Sequence, residues 1–292
     1  MNDAFNKIHP FTGLLYFAVV IGFSMFFMNP VCITLSLCCS LLSAVIITGR
    51  RALGLTVKFI IPMILLVMII NPVFNHRGAT IITYLPWQNP LTLEAILYGI
   101  ASAVMFSSVI LWFSVFNTVM TSDKIICLFG RIIPSLSLVI SMTLRFVPRF
   151  VSKFKELKSA RITPQKQGFI IKMKILLSEL SVMLSWSLES SIESADSMKS
   201  RGYGIKGRTA YNIFKFRKTD VIIITALIIS ALTMILLIAS GTGKYSFYPV
   251  FKIEFSGAFS VLFYVIYLGI MLIPSITIAW EGLKWKQLQS KI

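Results

Sequence analysis

From Ala95 to Met120 the chain runs for 26 positions without a charged side chain. A helix needs about 20 such residues to cross the hydrocarbon of a bilayer. Five further runs qualify or nearly do: Phe11–Met28, Val31–Gly49, Leu55–Phe74, Val221–Ala239 and Phe255–Trp280. The first two are separated only by Asn29-Pro30, a turn signal, and are expected to form a tight helical hairpin. The third contains Pro62 and Pro72. Across its 292 residues the chain is 56% hydrophobic and 13% charged, against about 25% charged in an ordinary soluble domain. Lipid must be the solvent for much of such a surface. The expected fold is all-α: a polytopic membrane protein with about six transmembrane helices.

The net charge of +17 would suggest nucleic acid in a soluble protein, but its distribution points to the membrane instead. With alternating spans, 25 of the 28 Lys and Arg residues fall on one side, within residues 1–10, 50–58, 121–220 and 281–292. Arg77, Lys244 and Lys252 remain on the other. The positive-inside rule then makes both termini and the central segment cytoplasmic, in a multi-pass protein of the cell membrane. Three regions are expected: four spans in 1–120, a cytoplasmic module in 121–220, and two spans with a tail in 221–292. Tyr84, Trp87, Tyr245 and Tyr248 flank spans on the outer side, where interfacial aromatics belong. The N-terminus lacks the basic start and small-residue cleavage site of a signal peptide, so the first run is expected to be retained. Three of the four cysteines, Cys32, Cys38 and Cys39, lie in one apolar run, and Cys127 stands apart. None has metal-ligand spacing, and His9 and His76 are far apart. The expectation is small core residues and no metal site.

The central segment is too apolar for an independent soluble domain. Ile132–Leu144 is uncharged but too short to span, and Pro134 suits the first turn of a helix. From there Leu136, Val139, Ile140, Thr143, Val147, Phe150, Phe154 and Leu157 recur with helical spacing, while Arg145, Arg149, Lys153 and Glu156 fall on another face. Pro148 should kink this helix. After a breaker at Thr163-Pro164, a second amphipathic helix is predicted over 168–200. Lys172, Lys174, Glu179, Glu189, Glu193 and Asp196 mark its polar face. Leu176, Leu180, Met183, Leu184, Ser187, Ser191, Ala195 and Met198 form a face whose small members permit close helix approach. Gly202 is placed to end it. A basic helix pair holding anionic lipid is one reading of this pattern. Docking to partners is the other, and it accounts better for an arginine beside small residues at each helix end.

Those ends are Lys158-Ser159-Ala160-Arg161-Ile162 and Lys199-Ser200-Arg201-Gly202. With Asn71-Pro72-Val73-Phe74-Asn75-His76-Arg77-Gly78, the stretch from Asn89-Pro90 through Glu94 to Tyr98-Gly99, and Arg145-Phe146-Val147-Pro148-Arg149-Phe150, the order and spacing resemble the T component, or transmembrane coupling subunit, of energy-coupling factor transporters. That family includes the cobalt-transport permease subunit. The resemblance covers about residues 10 to 240. The family carries Ala-Arg-Gly at the end of each of two cytoplasmic coupling helices. Here Ile162 stands for the first glycine and Ser200 for the second alanine. Serine stays small, whereas a β-branched isoleucine blocks close backbone approach. Arg201 is therefore the stronger docking residue of the two.

The resemblance implies two ATPase subunits as partners, a homo- or heterodimer, each receiving one helix end through Ala160-Arg161 or Ser200-Arg201-Gly202. It implies a small membrane S component as the substrate-binding partner. Val147, Phe150 and Phe154 of the first long helix and Leu180, Met183, Leu184, Ser187 and Ser191 of the second would face that subunit. ATP would be used by the partners, for uptake of a vitamin or transition-metal ion, and this chain would bind no cofactor and be no enzyme. The chain has no G-x-x-x-x-G-K-[ST] phosphate loop. A self-contained carrier or channel needs polar residues along a path, and the second to sixth spans are essentially uncharged. A membrane-embedded enzyme needs paired ionisable groups at the membrane surface, which are not evident. Asn71-Pro72 and Glu94 fit a helix end followed by an external loop better than a substrate path, and Asp123-Lys124 is expected to be an interfacial pair.

Overall fold

The computed structural model describes residues 8–49, 54, 58, 60–75, 78–84, 90–160, 168–205, 214, 216–243, 245–249, 251–253 and 257–289. Its helices are α1 (Pro10–Phe26), α2 (Pro30–Thr48), α3 (Ile61–Phe74), α4 (Leu93–Val119), α5 (Ser122–Ile132), α6 (Pro134–Ala160), α7 (Phe169–Ser200), α8 (Lys218–Ala239) and α9 (Ala258–Gln289). The protein is an all-α membrane protein. Among the described residues four helices are long and apolar enough to cross a bilayer: α2, α4, α8 and α9 as far as Trp280. The other two expected spans are shorter, with 17 residues in α1 and 14 in α3. Ile60, directly ahead of α3, is itself in helical conformation, with φ −76° and ψ −44°, so Pro62 does not mark where helical backbone begins. The expected start near Leu55 falls among residues outside those described.

Local chemistry sets the helix starts. Asn29 Oδ1 accepts from the N–H of Val31 at 3.1 Å, with Pro30 opening α2. Thr92 Oγ1 accepts from Ala95 N at 3.4 Å at the start of α4. His9 Nδ1 accepts from Phe11 N at 3.2 Å ahead of α1. Each side chain satisfies a donor that the first helical turn leaves free.

The chain divides into two compact units, Met1–Lys124 with Phe214–Ile292, and Ile125–Ile213. In the first, Tyr16 and Phe17 of α1, Cys32 and Cys39 of α2, Trp112 of α4, Met234 of α8 and Tyr267 of α9 belong to one buried cluster. Small polar residues let the helices close. Ser24 and Ser36 hydroxyls lie 2.9 Å apart, and Trp112 Nε1 donates to Ser36 Oγ at 3.3 Å. Ser43 and Ser275 hydroxyls meet at 3.2 Å. Pro274 inside α9 has no N–H to offer the carbonyl of Ile270. The buried phenol of Tyr16 donates to that carbonyl instead, at 3.2 Å.

Between α3 and α4, and again between α8 and α9, the chain forms a short antiparallel ribbon. β1 (Ile81–Tyr84) pairs with β2 (Pro90–Thr92), and β3 (Tyr245–Ser246) with β4 (Lys252–Ile253). Glu94, 2% exposed, holds this region together: both its carboxylate oxygens lie 3.3 Å from the donating N–H of Thr80. Gly78 passes close by with φ +149°, and a Cβ there would fall 2.5 Å from Glu94 Oε2. Asn75 Nδ2 donates to Tyr248 Oη at 2.8 Å, and Ala79 N to Pro249 O at 3.1 Å. Asn71 Nδ2 donates to Ser102 Oγ at 3.2 Å, joining α3 to α4.

One expectation is corrected. Asp123 and Lys124 form no ion pair among the described residues. Lys124, 4% exposed, turns back and donates from Nζ to Val119 O at 2.9 Å. A cation at the carbonyl end of α4 complements the helix dipole, and burial holds this amine below the usual lysine pKa.

In the second unit α5 precedes two long helices, α6 and α7, which pack on each other. The helix of α6 continues through Pro148 to Ala160.

Candidate functional site

The helix pair α6–α7 carries the residues singled out from the sequence. In α7 the less exposed positions are Ile175, Glu179, Met183, Trp186, Ser187, Ser190, Ser194 and Met198. Their spacing of three and four defines one helical face. Phe150 of α6 meets Trp186 of α7 edge-on, with ring centres 5.4 Å apart. Phe146, Phe150, Trp186 and Ser187 wall a cleft between the two helices.

The expected partner-facing set therefore divides in two. Phe150 and Phe154 are half-buried, Met183 is buried, and Ser187 lines the cleft with Phe150. Val147, Leu180, Leu184 and Ser191 are exposed, and Ser191 also lines the rim of that cleft. Leu184 is 66% exposed, and Leu188 and Ile192, in the same stripe of α7, are 67% and 65% exposed. Leu188 and Ile192 were not singled out from the sequence, though their spacing from Leu184 was there to read. Trp186 was also missed. It lies three residues after Met183 and four before Ser190, the spacing of the inward face.

The end of α7 is built in detail. Gly202 has φ +76°, the left-handed conformation that glycine adopts without steric cost. Its N–H donates to Lys199 O at 2.9 Å, and the N–H of Tyr203 donates to Met198 O at 3.0 Å. This pair of bonds closes the helix in a Schellman motif, as the position of Gly202 predicts. A Cβ on Gly202 would approach Ile205 Cδ1 to 2.9 Å. Ser200 Oγ donates to Ser197 O at 2.9 Å, so its hydroxyl is turned back onto its own helix. Arg201 is the cap residue, exposed, and without an ion-pair partner among the described residues. Ser200, Arg201 and Gly202 thus form a tip with one free guanidinium between two residues that add little bulk.

At the corresponding end of α6, Ala160 is the last helical residue and is exposed. Arg161 and Ile162 lie outside the described residues. On α6, Lys153 Nζ is 3.1 Å from a Glu156 carboxylate oxygen. Among the described residues no group of three His, Cys, Asp or Glu side chains is placed to hold a metal ion.

No family model matches the chain. Over 95 residues it is 33% identical to a curated protein of Lactobacillus helveticus, the energy-coupling factor transporter transmembrane protein EcfT. The matched stretch is 31% of this chain and 34% of that relative, so the chain spans about a third of the length of the curated protein it matches.

Proposed function

We propose that this chain is the transmembrane coupling subunit of an energy-coupling factor transporter, lying in the cell membrane with both termini and the α6–α7 unit in the cytoplasm. It passes motion from two ATPase subunits to a small substrate-binding membrane subunit. The observation that carries this reading is the end of α7. An exposed arginine stands on a glycine-closed helix tip, and an exposed apolar stripe containing Leu184, Leu188 and Ile192 runs along the same helix.

A fork-shaped guanidinium is suited to a carboxylate in a partner's groove. A helix is stiff along its axis, so displacement of its tip moves the stripe with it. Closure of the ATPase pair on ATP would then shift α7, and the stripe would shift the substrate-binding partner. Val147, Leu180, Leu184 and Ser191 offer outward surface for that partner. Phe150, Phe154, Met183 and Ser187 would keep α6 and α7 moving together. Ala160 and Arg161 would form the second docking point, for the second ATPase. Nucleotide chemistry stays with the ATPases, and the imported vitamin or transition-metal ion is chosen by the substrate-binding subunit. The 33% identity to a transporter membrane protein over part of the chain supports the assignment.

Co-purification and ATP-driven uptake by the assembled complex test it. Arg201→Glu should leave the protein in the membrane and abolish uptake, because breaking one side of a desolvated ion pair costs about 3–5 kcal/mol. Arg161→Ala should have a milder effect. Normal uptake by the Arg201→Glu complex, or solute transport by the isolated chain in vesicles, would overturn the reading.

A further inference from the structure

Arg145, Arg149 and Lys153 recur at four-residue intervals along α6 and so share one ridge. Lys153 is paired with Glu156. Arg145 and Arg149 are exposed and have no ion-pair partner among the described residues. The Arg149 guanidinium stands 6.0 Å from the centre of the Phe146 ring, at the limit of a cation–π contact.

Beside this ridge lies an open hollow of about 450 Å³ walled by Pro148, Arg149, Ser152, Lys153, Glu156 and Trp186. Trp186 also walls a second hollow of about 230 Å³, whose other side chains include Val139, Met142, Phe146 and Phe150. One indole is thus shared by a charged recess and an apolar one.

We propose that this junction binds one anionic phospholipid, with its phosphate against Arg145 and Arg149 and the first part of an acyl chain in the apolar hollow beside Trp186. Arginine holds phosphate through two parallel N–H bonds. Three cations and one carboxylate leave the ridge positive, which favours an anionic head over one that carries its own ammonium. The apolar hollow selects further: inorganic phosphate supplies negative charge but no alkyl chain for it. Tryptophan is the side chain suited to the boundary, with an apolar body and a polar edge. The site lies on α6 and the middle of α7, away from the Arg201 tip in sequence, and it does not depend on the coupling role.

The test uses the full chain purified alone in detergent, with phosphatidylglycerol or phosphatidylcholine added and retained lipid counted by native mass spectrometry. The wild type should retain phosphatidylglycerol preferentially. Arg145→Gln and Arg149→Gln should each weaken that retention about fivefold, while Arg145→Lys with Arg149→Lys should restore part of it. Lys172→Gln with Lys174→Gln, which removes the same charge elsewhere in the unit, should leave it unchanged. Equal retention of the two lipids, or full retention by the double glutamine variant, would overturn the proposal. So would displacement of the lipid by glycerophosphate at matched concentration, since the head alone would then be sufficient. These readouts involve no ATPase, so their failure is distinct from failure of the coupling assignment.

Discussion

The phenol of Tyr16 in α1 donates to the carbonyl of Ile270 in α9, the carbonyl that Pro274 leaves without its helical donor. A proline in a spanning helix is tolerable where a neighbour satisfies the freed backbone group, and here the neighbour lies 254 positions away. Tyr16→Phe keeps the ring and removes only the donor. Hydrogen bonds between helices in a membrane average about 0.6 kcal/mol and reach about 1.7. The variant should lose an amount in that range, read as a lower midpoint of thermal unfolding in detergent. In a Pro274→Ala background, where the helix can satisfy its own carbonyl, the loss should shrink.

Asp220, 1% exposed, is a second long-range tie. Its Oδ1 accepts from His9 N at 3.0 Å and its Oδ2 from Arg217 N at 2.9 Å. The start of α1 is thereby joined to the start of α8, and the His9 ring stacks on Phe216 with centres 4.0 Å apart. Asp220→Ala strands both donors and should cost about 2–3 kcal/mol. Asp220→Asn keeps one acceptor and should cost less. Limited proteolysis near residue 9 should quicken in the same order, alanine before asparagine before wild type.

Gly202 offers a way to test the α7 tip without touching its charge. Gly202→Ala places a Cβ in a left-handed conformation and against Ile205, a strain of about 1–2 kcal/mol. The helix end should loosen and Arg201 lose its fixed position. Gly202→Asn, whose short polar side chain suits that conformation, should be milder. Affinity for the proposed ATPase partners, measured by surface binding of the purified proteins, should fall in the order wild type, asparagine, alanine. An alanine variant that binds as the wild type does would show that the orientation of the tip is unimportant.

The spanning helices were legible because an uncharged run of twenty residues has few alternatives, and α6 and α7 because their apolar positions repeat with helical spacing. Gly202 was legible because it follows directly on that pattern. What remained hidden depends on partners distant in sequence. β1 is exposed along its whole length and shows no alternation, so pairing with β2 left no mark in its pattern. Lys124 beside Asp123 looked like a pair, yet the nearest carbonyls of a helix end competed for the ammonium and won. The stripe expected to face a partner and the less exposed face of α7 share Met183, Ser187 and Met198 but not Trp186 or Ser190, because a stripe of small residues does not say which edge meets the neighbouring helix. The bond from His9 to Asp220 joins positions 211 apart, and neither residue announces the other.

Tyr16, Trp112 and Tyr267 share one buried cluster, yet Tyr267 belongs to α9, the last of the described helices. Domains tend to form in the order in which the ribosome delivers them, and this one cannot be completed that way. α1, α2 and α4 must wait in the bilayer without Tyr267 and Met271 of α9, which belong to the same cluster, while all of residues 125–213 are synthesised. A nascent chain stalled before α9 would therefore present a half-built wall to lipid and to quality-control proteases, however well its first four helices had inserted.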